Sequence, residues 1–149
     1  MPLITRQYEI DAGHRLVNHE GKCKKLHGHR YVFLLHLEGE ELDDVGRVLD
    51  FADCKRLLAD VVEPWDHRML LNEKDTIVAA MRTGVLDDYD LIDEDEILPV
   101  PFNPTAENMA EYIAAEIASQ VPPTYRLRVE VRETPNCTAF SDWLNGGAE

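Results

Sequence analysis

Aromatic residues are scarce in this sequence, cysteines scarcer, and lysine and arginine are outnumbered almost two to one by acids. The 149 residues include 7% aromatics, three cysteines, and 15 basic against 29 acidic side chains. Three thiols, at 23, 54 and 137, make no disulfide framework, so a reducing cytoplasm is the expected compartment. No apolar run reaches the roughly 20 residues of a membrane helix. The start, Met1-Pro2-Leu3-Ile4-Thr5-Arg6, lacks the basic-then-apolar layout of a secretory signal. A net charge of −14 argues against a general nucleic-acid or anionic-membrane binder. What is left is one domain's length with ordinary apolar content, expected to fold as a single domain over 1–149.

The charge is unevenly spread. His14 to Arg30 carries five bases and one acid, whereas Asp87 to Ile97 carries seven acids and no base. A positive island inside an acidic chain suggests an anionic small substrate nearby. The bland alternative is that solvated lysines merely flank a loop.

Pattern along the chain predicts an α+β domain with a mainly antiparallel sheet. Leu3 to Ala12 reads as a first strand, Gly13 opens a long connection over 14–28, and Arg30 to Gly39 is a second strand. Arg47 to Phe51 looks like a short third strand. A helix follows, capped by Asp50 or Asp53, with Phe51, Cys54, Leu57, Leu58, Val61 and Val62 on its inner stripe. Cys54 is expected to be a buried apolar residue. Thr76 to Arg82 is a short helix, 84–103 an exposed acidic loop with a strand near Ile97–Val100. A second main helix starts at the N-cap Thr105 and tracks Met109, Tyr112, Ile113, Glu116 and Ile117 on one face. Tyr125 to Glu133 alternates strictly as a half-buried strand, Ala139 to Trp143 makes a last one, and Gly146-Gly147 is expected to fray.

The chemistry concentrates in Cys23-Lys24-Lys25-Leu26-His27-Gly28-His29. At a strand entrance, His27 and His29 point to one face, about 6.5–7 Å apart along the chain, close enough to share one metal ion. His14 supplies a third imidazole, and three neutral imidazoles with one open position make a catalytic zinc site. A cupin would need a carboxylate four or five residues beyond the second histidine, where Phe33 and Leu34 stand. Cys23, between lysines and near a cation, suits a thiolate nucleophile or base; as a fourth ligand it would instead close the site. Asp66-His67 is a candidate proton relay if folding brings it to Cys23. Glu133 can pair with a guanidine-like heterocycle through two hydrogen bonds, or be a solvated strand end.

Ala12-Gly13-His14-Arg15-Leu16, Cys23 to His29, Val48 to Phe51, Asp66-His67 with Asn72, Pro104 to Asn108 and Glu133-Thr134-Pro135 come in one order. Together they resemble the 6-pyruvoyltetrahydropterin synthase / 6-carboxytetrahydropterin synthase family. The resemblance implies the tunnelling fold: an antiparallel sheet with two main helices on one face, oligomerising into a β-barrel. It further implies a homohexamer, a dimer of trimers, with active sites at subunit interfaces. Zinc would be held by His14, His27 and His29, with Cys23, Asp66 and His67 catalytic. Glu133 would anchor the pterin of 7,8-dihydroneopterin triphosphate, with Thr105 beside it. Three residues between Cys23 and His27 resemble the 6-carboxytetrahydropterin branch, of queuosine biosynthesis; a 6-pyruvoyltetrahydropterin synthase or a non-catalytic binding paralogue is the alternative. Gly13 stands where the family usually has alanine, and the stretch 73–103 is longer than in compact members.

Overall fold

The computed structural model describes residues 1–84 and 94–147. Its strands are β1 (Leu3–His14), β2 (His27–Gly39), β3 (Met69–Asn72), β4 (Ile97–Val100), β5 (Tyr125–Thr134), β6 (Cys137–Phe140) and β7 (Leu144–Asn145). Its α-helices are α1 (Phe51–Val62), α2 (Thr76–Arg82) and α3 (Ala106–Ala118). The strands lie in the order β4-β3-β1-β2-β5-β6, with β7 also paired to β5. The class is α+β, as the pattern predicts.

The sheet is mixed rather than antiparallel throughout. The β1–β2–β5–β6 half is antiparallel, whereas β3 runs parallel to both β1 and β4. Parallel neighbours need a crossover of a dozen or more residues, and the long stretch between Asn72 and Ile97 provides one. The acidic loop expected within that stretch falls largely at 85–93, outside the described residues; Ile97–Val100 is a strand, as predicted.

Alternation assigns the faces. Ile10, Ala12, Tyr31, Phe33, Leu35, Leu37, Leu127, Val129 and Val131 are buried beneath α1 and α3 in one core. From α1 come Cys54, Leu57, Leu58 and Val62; Phe51, expected on this stripe, is exposed. From α3 come Met109, Ile113 and Ile117, with Ala110 and Ala114 letting the backbone approach the sheet. Glu116 lies on the exposed side of that helix. Fully burying one leucine-sized chain contributes about 1.5–3 kcal/mol, so this layer dominates the stability.

Local caps match expectation. Asp50 accepts the Ala52 N–H at 2.8 Å and Thr105 the Asn108 N–H at 3.1 Å. Elsewhere long-range pairing overrides local pattern. β1 runs through Gly13 to His14, and β2 starts at His27, because the two strands pair across that whole span. Arg47 to Phe51 is not a strand. Arg47 ties back to Asp43 and Asp50 at 2.9 and 2.8 Å, closing a turn before α1. The last strand is split at Ser141, whose hydroxyl accepts the Val129 N–H at 2.9 Å. Gly146 and Gly147 do not fray: their N–H groups donate to Tyr125 and Ala118 carbonyls, each at 2.7 Å.

Candidate metal centre and active site

β1 and β2 pair with His14 opposite His27 and Ala12 opposite His29. Directly opposed residues share a face, so three imidazoles gather at one end of the helix-covered side. Their nearest ring nitrogens all lie within 4.8 Å of one another. Tyr31 floors the cluster, its ring centroid 5.8 and 5.5 Å from those of His14 and His29.

Hydrogen bonds settle which nitrogen faces inward. A carbonyl only accepts, so His14 Nδ1–H donates to the Pro104 oxygen at 2.7 Å and His27 Nδ1–H to the Lys25 oxygen at 2.6 Å. Both Nε2 atoms therefore present lone pairs, yet they face each other at 3.0 Å. His29 Nε2 is buried with no hydrogen-bond partner. Lone pairs converging without a donor fit a cation between them, and ring N–H groups pinned by carbonyls are typical of metal-binding histidines. Burial pushes the pKa of His14 below the ordinary value, aided by the neighbouring imidazoles and opposed by the Pro104 carbonyl and Glu133. Burial does the same for His29, again against Glu133. The neutral, ligand-competent form is favoured.

Glu133 sits where the β5–β6 register shifts, between Arg132 and Thr134. Such an irregularity re-aims a side chain. Its Oε1 lies 3.2 Å from His14 Nε2 and 3.6 Å from His29 Nε2. Glu133 also lines a cavity of about 130 Å³ with Cys23, Thr105, Leu16 and Cys137. Cys23 occupies a single 3-10 turn, Lys22–Lys24, and its carbonyl accepts the Leu16 N–H at 2.9 Å. No ligand cluster among the described residues includes its thiol. Of the two roles open to Cys23 in the sequence, a free thiol beside the cluster is the one the geometry favours.

Asp66 and His67 lie elsewhere. They line up with Asp11, whose neighbours Ile10 and Ala12 are buried on the helix side, so Asp11 projects from the other face of the sheet. Asp66 Oδ1 accepts the Asp11 N–H at 3.0 Å, and Oδ2 lies 2.9 Å from His67 Nδ1. The Asp11 hydrogen bond is the main cause holding Asp66 below the usual carboxylate range. His67 has φ +58, the left-handed region that costs a non-glycine residue about 1–3 kcal/mol. Its N–H donates to the Asp11 carbonyl at 2.7 Å, and the next residue's carbonyl accepts the Gly13 N–H at 2.9 Å. His67 and Arg30 line a cavity of about 640 Å³ that reaches His29 past Gly13 and Gly28. That cavity shares no lining residue with the Cys23 cavity. One chain brings together His14, His27, His29, Glu133, Cys23 and Thr105, but not the Asp66–His67 pair.

Asp11 and the Pro104 carbonyl are partners that sequence patterns do not announce. Cys137 joins the Cys23 cavity only through the β5–β6 hairpin, whose turn signal at Thr134-Pro135-Asn136 was the available clue.

The sequence profile of "6-pyruvoyl tetrahydropterin synthase" matches residues 3–142. A protein of Halobacterium salinarum named "Probable 6-carboxy-5,6,7,8-tetrahydropterin synthase" is 37% identical over 90% of this chain and 82% of its own length. The "6-carboxy-5,6,7,8-tetrahydropterin synthase" of Rickettsia bellii is 34% identical over 89% of this chain and 94% of its own. The 6-pyruvoyl tetrahydropterin synthase structure from Plasmodium falciparum superposes with a TM-score of 0.74 at 16% identity, covering 97% and 98% of the two chains. That likeness concerns the fold, which is the tunnelling fold implied by the motifs. A three-histidine cluster beside a free cysteine, on this fold and within a profile match spanning nearly the whole sequence, places the chain in the 6-pyruvoyl tetrahydropterin synthase family.

Proposed function

We propose that this protein is a zinc-dependent 6-carboxy-5,6,7,8-tetrahydropterin synthase, a lyase of the cytoplasm. It converts 7,8-dihydroneopterin triphosphate and one water into 6-carboxytetrahydropterin, acetaldehyde and triphosphate, a step of queuosine biosynthesis. The observation that carries this reading is the convergence of His14, His27 and His29 Nε2 lone pairs beside Glu133 and a cavity lined by a free thiol. The two relatives named for this activity, at 34% and 37% identity, support the product branch, as does the three-residue gap between Cys23 and His27.

His14, His27 and His29 would hold the zinc. When bound, zinc supplies Lewis acidity that polarises substrate side-chain oxygens and acidifies the adjoining C–H bonds. Cys23 Sγ takes the carbon-bound proton. The Glu133 carboxylate accepts two N–H groups of the pterin, a paired geometry no single donor reproduces. Thr105 spends its oxygen on capping α3, which leaves its hydroxyl proton for the substrate. Asp66 Oδ2 holds the Nδ1 proton of His67, so Nε2 is free to accept or return a proton. Because the His67 and Cys23 cavities are separate within a chain, the relay serves the thiol of another copy. This agrees with a homohexamer, a dimer of trimers with active sites at subunit interfaces.

Zinc-loaded protein incubated with dihydroneopterin triphosphate is expected to yield acetaldehyde and a carboxypterin. A pyruvoyl pterin in their place assigns the 6-pyruvoyltetrahydropterin synthase reaction. No turnover by zinc-replete protein assigns a binding paralogue.

A further inference from the structure

From His14, the last residue of β1, to Val17, four consecutive residues have different anchors. His14 belongs to the imidazole cluster. Leu16 holds the Cys23 turn through its N–H, 2.9 Å from the Cys23 carbonyl. Val17 is gripped by Asn103, which accepts its N–H at 3.1 Å and donates to its carbonyl at 3.2 Å. Arg15, between the ligand and the thiol's tether, is fixed by a residue 60 positions away.

That residue is Asp75, whose side chain is fully buried. Arg15 Nε donates to Asp75 Oδ2 at 2.6 Å, and a second guanidinium nitrogen donates to Oδ1. The same guanidinium reaches Thr76 Oγ1 at 3.2 Å. Asp75 Oδ1 also caps α2, accepting the Ile77 N–H at 2.8 Å, and the Asp75 N–H donates to the Asn72 carbonyl at 2.8 Å. A planar fork on a buried carboxylate fixes direction as well as distance. Burial works against the carboxylate charge, but the Arg15 hydrogen bond and the Ile77 N–H outweigh it and hold Asp75 below the usual range.

We propose that Asp75 is a positioning residue for the Cys23 thiol, acting through Arg15 and the Leu16–Cys23 backbone contact, so that the turn opening α2 is anchored to the active centre rather than appended to it. The proposal rests on Cys23 as the proton-abstracting group. Asp75 itself touches no substrate.

The variant that isolates this role is Asp75→Asn. Asparagine still caps α2 but offers Arg15 no charge and only one acceptor oxygen. In metal-loaded, full-length protein, kcat is expected to fall about tenfold to a hundredfold, the cost of a small misplacement of a reacting group. KM and the metal content per chain stay at wild-type values. Alkylation of Cys23 by iodoacetamide, followed by peptide mass spectrometry, is expected to change rate severalfold per folded molecule. Asp75→Glu, which restores the charge, recovers part of both. Arg15→Lys, which leaves the α2 cap intact, reproduces the loss and decides the matter if Asp75→Asn does not fold. Wild-type kcat and alkylation rate in a folded variant would overturn the proposal. So would a loss of kcat proportional to a loss of bound metal, since the clamp would then serve His14 alone. The alkylation readout needs no substrate, so inactivity of the wild-type protein would sink the functional assignment and leave this test standing.

Discussion

Two clusters of polar side chains flank the β1–β2 pair, and they are built on opposite principles. The His14–His27–His29 cluster is partly buried on the helix-covered side, with His14 and His27 pinned by backbone carbonyls and burial favouring the neutral form of His14 and His29. The Asp11–Asp66–His67 cluster is exposed, and a strained backbone at His67 supports it. Inward-facing ring nitrogens on a partly buried set suit holding an ion, because their partners on the far side fix which nitrogen is offered. An exposed, hydrogen-bonded acid–imidazole pair suits proton traffic, because its Nε2 is open to an incoming partner. The strain at His67 is affordable only because the Asp11 carbonyl, the Trp65 carbonyl and Gly13 lock the turn on both sides.

Division between holding and proton transfer makes the comparison breakable. The largest expected effect is at Cys23: Cys23→Ala abolishes turnover while retaining about one metal ion per chain by elemental analysis. Loss of metal in that variant would move the thiol into the holding cluster. Next, His67→Ala is expected to be inactive, yet co-refolding it with Cys23→Ala is expected to restore part of the activity, because the proposed interface sites would then be rebuilt from two chains. Failure to complement, with mixing confirmed by native mass spectrometry, would place relay and thiol in one chain. Asp66→Asn leaves His67 in place but not its tautomer, and kcat is expected to fall about 10²–10⁴-fold with metal content unchanged.

Smaller effects fall on stability. Asp75 and Glu130 have folded pKa values depressed below their unfolded ones. Their contribution is therefore present above the unfolded values and lost as pH falls through the folded ones, in acid below about pH 4. Denaturant titrations across that range are expected to show a flatter acid limb for Asp75→Asn than for the parent. The smallest effect is at Thr105→Ala, about 0.5–2 kcal/mol of stability for a lost helix cap, read by chemical denaturation.

What was legible in the sequence was local. The i, i+2 spacing of His27 and His29 survives any strand boundary, so the pair is readable although β2 starts three residues before the predicted Arg30. Asp50 and Thr105 cap from within their own turns, and α2 spans Thr76–Arg82 as its pattern predicts. Cys54 is buried on the α1 stripe, and burial pushes its thiol up to about 11. What was not legible depends on partners distant in sequence. Gly13 looked like a loop residue but is extended because β2 and β3 hold it on both sides. Arg47 to Phe51 has strand-like residues but pairs with no strand among the described residues. The Asp66–His67 pair could be named from its motif, but its position on the other side of the β1–β2 pair follows from the parallel seating of β3.

Gly13 has one more consequence. A methyl group added there would lie 2.5 Å from the terminal carbon and 2.8 Å from the sulfur of Met69. Those atoms are the free end of a flexible chain that also helps wall the large cavity. Alanine at 13 therefore requires the end of Met69 to retract, or a shorter side chain there, and leaves the added methyl 3.2 Å from the His27 carbonyl oxygen. Any side chain added at 13 thus reshapes the large cavity through its neighbour, by displacing the end of Met69 that helps wall it.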